Sequence, residues 1–130
     1  MIVVDASAVI EVLLGTPAAS RVADRFFAGG ETLHAPHMLD VEIAQVLRRY
    51  ALAGALGAER GVEALEDLAD FPIARYLHQP FLFRAWELRN NVTAYDAAYI
   101  ALAEALDATL VTRDARLASA AGHRARIELV

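Results

Sequence analysis

Cysteine and lysine are both missing from this chain of 130 residues. Without cysteine there are no disulfides, no thiolate metal sites and no cysteine nucleophile, a usage that suits a reducing compartment. Without lysine there is no Schiff-base chemistry and no phosphate-loop lysine, so all twelve cationic side chains are arginines. They face seventeen acids, for a formal net charge of −5. Such a surface as a whole does not suit a polyanion, and any nucleic-acid binding must be local. Long apolar runs are missing too. The longest, Ala97 to Ala103, falls well short of the roughly 18 residues that suggest a membrane span. Asp5 and Glu11 interrupt the apolar first fifteen residues and no basic segment precedes them, which speaks against a signal peptide. The expectation is a soluble, cytoplasmic protein.

What is present is a core-forming composition: 57% hydrophobic residues and a mean hydropathy of +0.34, on a length that fits one domain. The β-branched run Met1 to Val4 reads as a strand buried on both faces. A helix follows from Ala8 to Leu14 and is closed by Gly15. Thr16-Pro17 looks like an N-cap and first helical position for a second helix to about Ala28. Thr32 to Ala35 reads as a second strand. Leu39, Ile43, Val46, Leu47 and Tyr50 then recur at helical spacing, ending near Gly54. A helix over Ala58 to Leu68, a strand over Ile73 to Leu77 and a helix over Phe81 to Leu88 come next. Thr93-Ala-Tyr-Asp96 has capping-box spacing and opens a helix to about Leu106. Thr109 to Thr112 is a fourth strand, Asp114 caps a short helix to Ala120, and Ile127 to Val130 adds a last strand. This alternation predicts an α/β fold with a short, mostly parallel sheet in a single domain, residues 1–130.

Four acids stand out. Asp5 directly follows the first strand and Asp114 comes two residues after the fourth, so both should lie at the carboxyl edge of the sheet, where open α/β folds gather ligands. Glu42 lies beside the stripe its helix should bury, and Asp96 sits in the first turn of a helix that is apolar on nearly every face. Each also has a plainer reading. Asp114 reads as an N-cap, Asp96 as the far end of a capping box, and Glu42 as the partner of Arg49. Asp5 is the hardest to dismiss, because a carboxylate ending a buried strand must be hydrogen-bonded, paired or bound to metal.

If the four converge, each close pair of anions repels by about 4 kcal/mol at roughly 4 Å and an effective dielectric of about 20. Protonation relieves that, with a pKa pushed upward, and so does a divalent cation. An all-oxygen set favours Mg²⁺ or Mn²⁺ over Zn²⁺, and the chemistry natural to it is phosphodiester hydrolysis.

These residues also resemble a known family. Ile2-Val-Val-Asp5-Ala-Ser7, Ala35-Pro36 with Val41-Glu42-Ile-Ala-Gln-Val-Leu-Arg-Arg49, Thr93-Ala-Tyr-Asp96 through Ala103, and Leu110-Val-Thr-Arg-Asp114-Ala-Arg-Leu117 look like the four signature blocks of PIN-domain ribonucleases, specifically VapC-type toxins of toxin–antitoxin modules. The blocks cover about a third of the chain, and from about Ala51 to Asn91 only helical character matches. The resemblance implies a PIN-like three-layer α/β/α fold. It implies that Asp5, Glu42, Asp96 and Asp114 form an acidic metal site with Ser7 and Thr112 as supporting hydroxyls. It further implies a Mg²⁺- or Mn²⁺-dependent endoribonuclease, held inactive by a cognate antitoxin protein and usually a homodimer.

Arg113 and Arg116 flank Asp114 and are candidate phosphate contacts, with balancing of local acids as the equal alternative. Arg48 and Arg49 read as solvated. His34, His37, His78 and His123 show no ligand spacing, Trp86 with Phe81 and Phe83 reads as core or partner surface, and Asn90 and Asn91 as loop or RNA contact. Two other functions compete: a non-catalytic interaction module, and an aspartyl-phosphate phosphatase or receiver-like domain. The latter wants a lysine, and in the phosphatases a second Asp where this chain has Ser7.

Overall fold

Ile2–Val4 (β1) forms the middle of a five-stranded sheet and is fully buried, because helices cover both faces of a parallel sheet and leave its central strand no solvent side. The computed structural model describes residues 1–130. The other strands are Leu33–Pro36 (β2), Ile73–Tyr76 (β3), Thr109–Thr112 (β4) and Ile127–Leu129 (β5), in the order β3-β2-β1-β4-β5. All four pairings are parallel, so the sheet is wholly rather than mostly parallel.

The chain steps outward from β1 to β2 to β3, then crosses back to β4 on the other side of β1. Right-handed crossovers therefore place Ala6–Leu14 (α1), Ala19–Phe27 (α2), Met38–Leu52 (α3) and Ala58–Asp70 (α4) on one face. Leu82–Glu87 (α5), Ala94–Leu106 (α6) and Ala115–Ala118 (α7) lie on the other, which gives the three layers expected of an α/β/α fold. The winding reverses between β1 and β4. Their carboxyl ends part there, opening the crevice in which doubly wound sheets bind ligands.

The core joins β1, β2 and β4 to α1, α3 and α6. In α6, Ala97, Ala98, Tyr99, Ile100, Ala101, Leu102 and Ala103 are all buried, and its small side chains let the helix lie close on β1, β2 and β4. Three local expectations shift. The first helix starts at Ala6, because Asp5 itself is the N-cap. Thr16 does not cap the second helix: its hydroxyl bonds the Glu11 carboxylate, and Ala18 is the N-cap. The segment after His78 opens as a 3-10 turn, Gln79–Phe81, before α5.

Candidate active site

Asp5 is 6% exposed and must find partners in the fold. Its Oδ1 accepts the Ser7 hydroxyl at 2.7 Å and the Ala8 N–H at 3.2 Å, and its Oδ2 accepts the Thr112 hydroxyl at 2.7 Å. The two hydroxyls are fixed in turn, since Ser7 Oγ accepts the Arg113 N–H at 2.9 Å and Thr112 Oγ1 accepts the Asp114 N–H at 2.9 Å. One polar network thus ties the end of β1 to the end of β4. Burial nevertheless outweighs these bonds and holds the Asp5 carboxyl above its ordinary range, with the charge of Asp96 adding to the rise.

Glu42 enters from α3. Its Oε1 accepts the Tyr99 hydroxyl at 2.9 Å, and it has no salt bridge, so the expected pairing with Arg49 does not occur. Burial again raises its pKa, against the Tyr99 bond and with the help of Asp5 and Asp96. Tyr99 is a site residue the sequence reading passed over, because it stands inside the apolar run of α6. Two signals mark it: it lies one turn after Asp96 on the same face, and a buried phenol needs an acceptor.

Asp96 is half-buried in the first turn of α6. Its N–H donates to Thr93 Oγ1 at 3.1 Å, as capping requires, while its carboxyl is raised by burial and by Asp114, against the pull of Arg116. Asp114 serves as N-cap of α7, its Oδ1 accepting the N–H groups of Arg116 and Leu117 at 2.8 and 3.3 Å. Its Oδ2 lies 3.6 Å from Arg116 Nη2. Capping and site lining are therefore compatible, since they use different oxygens.

All four acids line one cleft of about 580 Å³, with Ser7, Tyr99, Gln45, Arg49 and Arg116 among its other walls. Thr112 sits just behind it through Asp5. Arg116 faces the cleft and Arg113 does not: the Arg113 Nη1 donates to Val130 O at 2.7 Å, and its Nε lies 3.6 Å from Glu11. Of the two roles considered for Arg113, a phosphate contact or the balancing of a local acid, the side chain's contacts with Val130 and with Glu11 of α1 match the second. Trp86 and Phe83 are 68% and 87% exposed, so neither is core. His34 is held between Thr32 and Tyr76 inside the sheet, and His123 by Ala120 O, away from any ligand cluster.

As the side chains lie, no three acids meet at one point closely enough to hold an ion. The Asp5 oxygens face hydroxyls, one Glu42 oxygen faces Tyr99, and one Asp114 oxygen faces the backbone of α7. Gathering them takes side-chain rotation. The donor set itself suits a hard divalent cation: every candidate is a carboxylate oxygen, no lysine competes, and three of the four carboxyls are disfavoured as anions by burial.

The PIN-domain profile matches residues 2–123, from β1 past α7 and through all four acids. The chain belongs to the PIN-domain family. This PIN domain is 43% identical over 130 residues to Ribonuclease VapC12 of Mycobacterium tuberculosis, covering 100% of this chain and 99% of that one. It is 47% identical over 117 residues to Ribonuclease VapC9 of the same organism, covering 90% and 88%. Among solved structures, M. tuberculosis VapC20, described as a Sarcin-Ricin loop cleaving toxin, aligns with a TM-score of 0.71 and 16% identity over 95% of this PIN domain and 97% of that chain. VapBC2 from Rickettsia felis, bound to a DNA fragment from its promoter, also gives 0.71 at 16% identity, over 99% and 98%. At 16% identity these likenesses carry the fold alone.

Proposed function

We propose that this PIN domain is a Mg²⁺- or Mn²⁺-dependent endoribonuclease and the toxin of a toxin–antitoxin pair, acting on RNA in the cytoplasm. The observation that carries the reading is that Asp5, Glu42, Asp96 and Asp114, from four separate segments, line one cleft at the switch point of the sheet. The VapC ribonucleases to which the chain is similar over its length support the same activity.

The four carboxylates would hold the cation. When bound, it supplies the positive charge that stabilises the attacking and leaving oxygens of a phosphodiester hydrolysis. Ser7 and Thr112 keep the Asp5 carboxylate oriented. Tyr99 holds one oxygen of Glu42 and leaves Oε2 without a protein donor, placed to accept a proton from water. Arg116, on the cleft wall, is placed to receive a phosphate oxygen.

A cognate antitoxin fits the same charge. A segment carrying Arg or Lys would be attracted to the acids and would compete with the cation. A homodimer belongs to this reading as well. No helix is long and apolar enough to cross a membrane.

The test is Asp5→Asn, which keeps the shape and removes the charge. RNA cleavage is expected to disappear, along with the thermal stabilisation that Mg²⁺ or Mn²⁺ gives the wild-type protein, while the folded circular-dichroism spectrum remains. Cleavage that survives the substitution, or that runs undiminished in chelator, overturns the reading.

A further inference from the structure

A second cavity, of about 390 Å³, adjoins the acidic cleft and shares Thr93, Asp96 and Arg116 with it. Its character is opposite. Arg89 and Arg116 face it from the α5–α6 connection and from α7, and Asp96, on the shared wall, is its only acid.

Arg89 is exposed yet held. Its guanidinium carbon stands 4.7 Å over the Trp86 ring, and its Nη1 donates to the Trp86 carbonyl at 2.9 Å. These two contacts fix the plane of the group while Nε and Nη2 keep no protein acceptor. The nearby Glu87 does not neutralise it, because Glu87 is engaged by Arg84 at 2.8 Å. Arg84 also forks onto Glu104 at 2.9 and 3.0 Å, which anchors α5 to α6 and so fixes where the chain delivers Arg89. Arg116 is exposed and donates no hydrogen bond from its guanidinium, its one carboxylate contact being an ion pair with Asp114 at 3.6 Å. Asn91 completes the wall, and its side chain lies in the space that glycine leaves at residue 122. A Cβ at Gly122 would stand 2.2 Å from Asn91 Nδ2.

We propose that this cavity is a second phosphate subsite, in which Arg89 and Arg116 hold the RNA phosphate next to the one being hydrolysed. The inference rests on the endoribonuclease reading and deepens it. Two guanidiniums with free N–H groups, that of Arg89 held in orientation by Trp86, match the oxygens of a phosphate, which accept such forked donors. Such a subsite would add fixed positive charge beside the four acids of a chain whose net charge is −5.

The test uses a synthetic single-stranded RNA oligonucleotide spanning a site that the wild-type protein cuts. Arg89→Ala is expected to raise KM about tenfold and to leave kcat within about threefold. Binding of the same oligonucleotide in the Asp5→Asn background should weaken, with the slope of log K against log salt shallower by about 0.7. Arg89→Lys, which keeps the charge and loses the fork, should fall between. Replacing the neighbouring phosphate by a neutral methylphosphonate should reproduce the defect in the wild type and add nothing to Arg89→Ala. Unchanged KM and salt slope overturn the subsite while wild-type cleavage keeps the parent reading intact. So does an Arg89→Ala defect confined to binding a protein partner. A wild-type protein that cuts no RNA overturns the parent reading, and the subsite with it.

Discussion

The Thr112 hydroxyl donates to Asp5 Oδ2 at 2.7 Å and accepts the Asp114 N–H at 2.9 Å, so one side chain at the end of β4 positions two of the four acids. Thr112 is completely buried, and water cannot replace it without a rearrangement. Thr112→Val keeps the volume and strands both partners. Leaving Asp5 Oδ2 and the Asp114 N–H without their hydroxyl partner, while Ser7 and Ala8 still hold Oδ1, should cost about 2 to 3 kcal/mol of stability in urea denaturation, and RNA cleavage should fall at least tenfold. A variant as stable and as active as the wild type would show the network to be incidental.

Tyr99→Phe removes the donor to Glu42 Oε1. That bond lowers the Glu42 pKa against the effect of burial, so its loss moves the pKa further up. Glu42 then ionises at a higher pH, and the acid limb of the cleavage rate profile should shift upward, with a drop of about tenfold near neutrality. An unmoved acid limb would separate Glu42 from the proton-transfer step.

The cleft acids work against the fold when no cation is present. Asp96 has a raised pKa, so protonation favours the native state. Its contribution is present at pH values below the ordinary 3.8 and is lost as pH rises through the raised native value. Asp96→Asn should therefore raise the melting temperature in chelator near neutral pH by a few degrees while abolishing cleavage. Equal melting temperatures for variant and wild type at pH 7 would contradict the cost of burying the Asp96 charge beside Asp114.

Glu104 has the opposite sign. Its bond to Arg84 holds the carboxyl below 4.5, so its stabilising contribution is present above that value and is lost as pH falls through the lower native pKa. With the Glu104 side chain 7% exposed, Glu104→Gln should cost roughly 2 to 4 kcal/mol at neutral pH, by leaving Arg84 without its main partner. The difference from wild type should shrink in acid, which denaturation curves at pH 7 and pH 4 would reveal.

Much of this molecule is legible locally. The short segments read as strands at Ile2, Leu33, Ile73, Thr109 and Ile127 all become strands, and the acids at positions 5 and 114 stand at strand ends by sequence position alone. The errors fall where local signals are shared. Thr16-Pro17 carries the signature of a helix start, but Glu11 on the preceding helix takes the Thr16 hydroxyl. Asp114 and Asp96 read as caps, and they take part in capping while facing the cleft.

The sequence by itself determined the alternation of strands and helices, the lack of any lysine or thiol chemistry, and the candidacy of the four acids. Hydrophobic periodicity and strand ends are properties of neighbouring residues, and neighbours are visible in a string. Only the tertiary structure decided that Arg116 faces the cleft while Arg113, three positions earlier, turns to Val130. Only it paired Tyr99 with Glu42 and Thr112 with Asp5. Those choices depend on which side chains the winding of the sheet brings within about 3 Å of one another, and hydrogen-bond geometry between residues so far apart in the chain leaves no periodic trace in it.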